Sequence, residues 1–259
     1  MPPLSFLVFR EGIQMQNRKL SKRFAQVNLH LAATFSMLIL ATGCATTGSN
    51  VQQIDRLESV RENPKIVLMP PDIRYYLLTA GGVAEPHAEW TAAAEENFAV
   101  AIDEYAKSIG TDLKILDESN MSTLENRYEE LHSAVGMTVI ANHFGMFKLP
   151  AKNQQFDWSL GPQISEIGLQ HDADYALFVY YRDYQASGGR VAFAILAAAA
   201  GAASSIGSES GFASLVDLRT GDIVWFNVVT AGSGELRDKE GAATAVAKLF
   251  KDIPANQPQ

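Results

Sequence analysis

The sequence predicts one α/β domain, of the α+β kind, in which a mixed sheet carries packed helices over residues 65–254. Three observations lead there. Short apolar runs closed off by Pro, Gly or Asp alternate with longer stretches whose apolar residues recur every three to four positions. The resulting order is strand, helix, strand, helix, helix, strand, strand, strand, helix, which calls for a sheet with helices laid on it. No internal repeat and no shift of composition marks a second domain.

Each element has its own signal. "KIVLMPP" is a short apolar run stopped by two prolines, as a buried strand would be, and "DIRYYLLTAGGVAEPH" after it reads as a long irregular loop. In "EWTAAAEENFAVAIDEYAKSIG", Trp90, Ala94, Phe98, Ile102, Tyr105 and Ile109 share one helical face, with Pro86 near its start and Gly110 past its end. "DLKILD" is a second strand. Ser122 and Glu125 form a capping-box pattern ahead of Leu124, Tyr128, Leu131, Val135 and Val139. A loop, the short helix "QISEIGLQ" and the strand "ADYALFVYYRDY" follow. "VAFAILAAAAGAASSIGSESG" carries no charge until Glu209 and is too short to cross a bilayer as a helix. It reads as a close-packed helix or a helical hairpin, set against a neighbouring element or another subunit, with Val191, Phe193 and Ala198 at the contact. "GFASLVDLRTGDIVWFNVV" is two strands around a turn in which Gly221 supplies positive φ, and "GAATAVAKLFKDI" closes the domain as a helix presenting Val246, Leu249, Phe250 and Ile253.

Cys44 is the only cysteine, so an intramolecular disulfide is ruled out and a packing thiol, a nucleophile or an attachment point remain. Its flanks decide. A basic cluster (Arg18, Lys19, Lys22, Arg23), the apolar run Leu29–Ala41 and the small residues Thr42 and Gly43 reproduce the three regions of a secretory signal. "LATGC" resembles a bacterial lipobox, which implies diacylglycerol on the Cys44 thiol and cleavage between Gly43 and Cys44. Residues 1–43 are therefore expected to be a lipoprotein signal, with Met15 as its start because residues 1–14 do not fit an n-region. Residues 44–64 are expected to be a short tether, with an edge strand or a helical turn as the alternative, and residues 255–259 a tail. Ala45, where an aspartate would retain a lipoprotein at the inner membrane, points to the outer membrane facing the periplasm.

Residues 1–43 hold five of the 21 basic and one of the 29 acidic residues, so the remainder carries a formal charge of −12. A field of that sign disfavours nucleic acid and anionic lipid as partners. Candidate chemistry is sparse. His132 and His143 are eleven residues apart and could share a helix face, but no cysteine or carboxylate at metal-ligand spacing completes a set, and two separate surface histidines are the expected reading. "HDAD" (His171, Asp172, Asp174) has the composition of an acid/base cluster and sits where such residues are ordinary turn formers. "TAGG" lacks the lysine and the glycine spacing of a phosphate loop. No catalytic residue, metal or cofactor is expected.

The lipobox, the opening strand ending in "MPP", the helix running into "HDADYALFVYY", and "SLVDLRTGDIVWFN" before a final helix resemble the CsgG/TolB-N-terminal/LpoB-like group of bacterial envelope lipoproteins. The resemblance spans residues 65–253 and implies a periplasmic α/β domain that binds envelope proteins or oligomerises, with no catalytic residues to carry over. The short tether is unlike the long leader of LpoB-type activators, and the Ala/Gly-rich stretch is unlike the alternating hairpins of a CsgG pore. The expected function is thus a lipid-anchored protein whose partners are the membrane, through Cys44, and envelope proteins or its own copies. A pore subunit and an envelope hydrolase using His171, Asp172 and Asp174 are the alternatives. The expected contact surface is Ile73, Tyr75, Tyr76, Leu77 and Leu78 in the first loop, with the two tyrosines as anchors.

Overall fold

The computed structural model describes residues 50–53 and 64–254, apart from 112, 153–154, 231 and 233. In chain order the elements are β1 (Asn50–Gln53), β2 (Ile66–Leu68), β3 (Asp72–Leu78), β4 (Ala84–Pro86), α1 (Ala88–Ser108), β5 (Leu113–Ile115), α2 (Thr123–Val139), α3 (Ser165–His171), β6 (Tyr175–Ala186), α4 (Gly188–Ala199), β7 (Gly207–Asp217), β8 (Ile223–Thr230) and α5 (Lys239–Leu249). The sheet runs β1-β8-β7-β6-β2-β5, with β3 and β4 off that path. It is mixed: β2 and β3 pair parallel with β6, and β5 parallel with β2, whereas β7, β8 and β1 add antiparallel neighbours. The α/β architecture with a mixed sheet and packed helices is as expected.

β6 is the spine. Its one edge pairs with β7 along nearly its whole length. Its other edge is shared, Tyr175–Leu177 with β2 and Tyr180–Ala186 with β3. The two prolines of "MPP" make the jog between those partners, since neither Pro70 nor Pro71 has an N–H to give a ladder. The segment expected to be an irregular loop is therefore a strand. Ile73 and Tyr75 alternate inward around exposed Arg74, and the chain reverses through Thr79–Val83 into β4. Residues 50–53, expected to lie in the tether, form the edge strand of the sheet on β8, which is the alternative that the sequence left open.

Both faces of the sheet are covered, which is why its strands read as nearly continuous apolar runs. Ile66 and Leu68, with Leu177, Val179 and Tyr181, face α1 and α5, where Phe98, Ile102, Val246, Leu249 and Phe250 fill the layer. Val67 and Met69, with Phe178, Phe212 and Phe226, face α2 and α3. The Tyr105 hydroxyl donates to the Phe250 carbonyl at 2.9 Å, tying α1 to the end of α5. The hairpin between β7 and β8 turns at Gly221, φ 81°, where a side chain would collide with the Gly161 carbonyl.

α2 opens on the expected capping box. Ser122 accepts from the Glu125 N–H, and the Glu125 carboxylate accepts from the Ser122 N–H at 2.6 Å. Further along the helix, His132 is fully buried and stacks on Phe178, 4.7 Å between centroids. That corrects the expected surface position. The period of α2 placed apolar residues on the inner face, and the imidazole ring fits there as a flat apolar body between Phe178 and Phe212. Burial holds its pKa down at about 3, so it is neutral in the fold.

Candidate functional site

Two of the stretches singled out in the sequence meet at one end of the sheet. β6 ends at Ala186 and β7 begins at Gly207, directly across from Gln185. Between them α4 starts at Ser187, whose hydroxyl accepts from the Arg190 N–H at 3.2 Å. Arg190 also donates from Nε to the Ser205 carbonyl at 2.9 Å, closing the connection on itself. The Ser187 N–H donates to the Leu78 carbonyl at 2.9 Å, so the end of β3 lies alongside. Gly82, in the β3–β4 turn, faces the Arg190 guanidinium. Candidates from two distant stretches, Tyr76–Leu78 and Val191–Ala198, thus share one end of the molecule.

Their exposures differ from expectation. Ile73 and Tyr75 are buried and cannot anchor a partner at the surface, because strand alternation turns them into the core. Tyr76, Leu77 and Leu78 are half-buried, and Tyr76 stacks on Tyr184 at 4.7 Å. On α4 only Ala194 is buried. Phe193 is 51% and Leu196 71% exposed, and Val191, Ile195 and Ala198 are exposed as well. The helix expected to be close-packed is therefore not packed within this chain. A bulky residue at 198 meets open surface rather than a filled core. Ile206 is exposed beside Val191, and Val83 is exposed in the β3–β4 turn next to Gly82.

A groove of about 550 Å³ lies beside α4, lined by Asp183, Tyr184, Val191, Ile206, Glu209 and Glu235. The Tyr75 hydroxyl donates to Glu235 at 3.0 Å, and Tyr181 donates to Glu209 at 2.6 Å. Arg237 binds Glu235 at 2.6 Å and reaches the Gln185 side-chain oxygen at 3.0 Å. Burial favours a neutral Glu235, but the Arg237 contacts outweigh it and hold the pKa at about 2. Arg237 also pulls the pKa of Asp183 down, but less than its other surroundings raise it. Burial, with Glu209 and Glu235 nearby, pushes its carboxyl up to about 6 despite a hydrogen bond from Gln185.

This sets a direction for stability. A carboxyl that holds its proton more tightly folded than unfolded stabilises the fold most when protonated, and that contribution is lost as pH rises from about 4 through about 6. Asp183→Asn is expected to raise stability at pH 7.5 by about 1–2 kcal/mol and to gain almost nothing at pH 4. Urea unfolding of both proteins at the two pH values checks it.

The remaining candidates hold structure together. His171 is paired with the buried Glu125, Asp172 binds the Lys65 ammonium, and Asp174 accepts the Lys65 N–H at 3.1 Å. Burial disfavours a charged Glu125, yet the Ser122 and His171 contacts keep its pKa below the usual range. His171 turns to Glu125 while Asp172 and Asp174 both bind Lys65; the two aspartates line an open cavity of about 500 Å³ with Asp217 and Arg219, and His171 lines a neighbouring one. Asp172, at φ 51°, closes the end of α3. His143 sits edge-on to Phe144 and Phe156, in the π-helical turn Ile140–Phe144 after α2, so it does not share a helix face with the buried His132. Within "TAGG", the Gly82 N–H is bonded to the Thr79 carbonyl. Among the described residues no group of three or more His, Cys, Asp or Glu is placed to hold a metal ion. No described helix is long and apolar enough to cross a membrane. Gly43 and Cys44 lie outside the described residues.

The sequence reading missed a second exposed patch. Met137, Met146, Phe147 and Leu149 surround the end of α2, with Met146 90% exposed. The available signal was "GMFKLP", large apolar residues fenced by Gly145 and Pro150 where neither helix nor strand period runs.

No protein-family model and no curated protein sequence matches the chain. Among solved structures, the PelC dodecamer from Paraburkholderia phytofirmans is similar at 11% identity and a TM-score of 0.36, over 79% of this chain and 97% of that one. The LpoB C-terminal domain from Salmonella enterica is similar at 10% identity and a TM-score of 0.26, over 67% and 86%. Lipoprotein GNA1162 from Neisseria meningitidis is similar at 14% identity and a TM-score of 0.28, over 64% and 81%.

Proposed function

We propose that the chain is a lipid-anchored, non-catalytic protein of the cell envelope, held at the outer membrane by Cys44 and facing the periplasm, that works by contact with envelope proteins or with its own copies. The observation that carries this reading is the pair of exposed apolar patches, one on α4 and one around Phe147, on a domain whose His, Asp and Glu clusters are each engaged in holding the fold. Apolar patches of this kind, rimmed by polar surface, mark contact sites. The lipobox-like "LATGC" supports the anchor.

The test is a photo-crosslinking residue in place of Phe147, in the full chain with its own signal. Phe147 is 74% exposed, so the fold tolerates the change. Crosslinking in intact cells is expected to give one or a few adducts of discrete mass. A chain that stays wholly uncrosslinked from position 147, and from a second probe at Tyr76, would overturn the contact role.

A further inference from the structure

The register of β1 fixes the end of the domain toward which its first residue, Asn50, is directed. Asn50 lies opposite Val228, Val228 opposite Phe212, and Phe212 opposite Tyr180. β1 and β6 both pair antiparallel to their neighbours in this chain of strands, and from the level of Tyr180 β6 runs on to Ala186 and delivers the chain to α4. β1, followed backwards from Asn50, heads toward that same end. Cys44 precedes Asn50 by six residues, a covalent reach of about 20 Å, which matches the rise of β6 from Tyr180 to Ala186. Across the sheet β1 and β6 are three strand spacings apart, about 14 Å.

We propose that the exposed face of α4 rests in the acyl-chain border of the bilayer that holds the Cys44 lipid. The inference depends on Cys44 being lipidated, as argued above, and names what covers the α4 patch. Its composition fits. Val191, Phe193, Ile195 and Leu196 are exposed along the helix, Val83 and Ile206 lie at its margins, and no charge follows Arg190 until Glu209. Arg190, at the start of the helix, can keep its guanidinium among headgroup phosphates while Phe193 enters the apolar layer. Helix α4 runs from Gly188 to Ala199, about 18 Å, too short to span a ~30 Å core but suited to lying about 5–10 Å deep in the interface. Tethering by the lipid makes the docking intramolecular, so a weakly apolar face suffices.

The test uses the full chain, processed in cells and reconstituted at high lipid excess in phosphatidylcholine vesicles with spin-labelled acyl chains. Phe193→Cys carries a fluorophore, and Leu169→Cys, 85% exposed on α3 beside the start of β6, serves as the far-end control. An acylated Cys44 leaves each introduced thiol as the only reactive one. The spin-labelled chains are expected to cut emission at position 193 by more than half and to leave position 169 nearly unchanged, at low and high salt alike. If mass spectrometry finds Cys44 lipidated and position 193 is not quenched, the docking is wrong and the anchor stands. Should Cys44 prove unmodified, both fail. Emission at 193 that is shielded only as protein is raised relative to lipid, without quenching by the labelled chains, would give the face to a second copy and overturn the proposal.

Discussion

Cys44→Ser is expected to convert the whole cellular pool from a lipidated mature chain beginning at residue 44 to an unprocessed precursor. The serine hydroxyl is far less nucleophilic than a thiolate and does not take the diacylglycerol, and the signal peptidase that recognises the lipidated residue then has no substrate. The energetic consequence is large, since each acyl CH₂ contributes ~0.8 kcal/mol to membrane binding and two or more chains hold a protein stably where one is marginal. Intact-mass measurement of wild type and variant, with the precursor starting at Met15, checks the lipid, the cleavage site and the start together. A wild-type N-terminus away from residue 44, or one lacking a lipid mass, would refute the anchor.

Phe212→Ala is expected to be the most damaging single change in the folded region, at about 3–5 kcal/mol. Phe212 is fully buried and stacks on Tyr180 at 4.7 Å and on Phe226 at 5.3 Å. It also lies against His132, and Gly136 on α2 leaves it room that a Cβ would fill. A domain of this size holds roughly 5–15 kcal/mol in total, so the variant stands near the edge of unfolding. A second readout separates this loss from general damage. His132 is neutral in the fold and free to charge when unfolded, so wild-type stability declines as pH falls from about 6.5 toward about 3. With the Phe212 ring gone, water reaches the imidazole, its pKa climbs back, and that part of the acid dependence flattens. Urea unfolding of both proteins at pH 7.5 and 4.5 measures it, and the shared contributions of Asp183 and of Glu129, whose carboxyl burial and the nearby Asp72 and Glu118 push up to about 7, cancel in the difference.

What could be read from the sequence was what local chemistry decides. The Ser122–Glu125 box, the Gly221 turn and the inner face of α1 are set by residues close in the chain, and each formed where expected. What could not be read is set by distant partners. "DIRYYLL" is a strand because β6 offers it an edge, and its prolines and consecutive tyrosines hid the alternation of Ile73 and Tyr75. The polar "NVQQ" of β1 and the Gly/Ser-rich start of β7 are strands for the same reason. The exposure of α4 was invisible too, because a run of apolar residues reports a wish for burial and not whether the chain itself supplies the cover.

The register of β6 and β7 closes at Gln185 and Gly207 whether or not anything lies between them. Residues 187–206 are in that sense a cassette mounted on a hairpin that would pair without it, with one buried side chain, Ala194, on its helix and the Arg190–Ser205 bond fastening it shut. Sequence change is therefore partitioned in this protein. The strands and the helices on both faces are constrained by each other, whereas the cassette is held to the other described residues mainly through Ala194, the Ser187–Leu78 bond and the approach of Arg190 to Gly82. Its length, polarity and curvature can drift to suit a new surface while the sheet beneath keeps its registration.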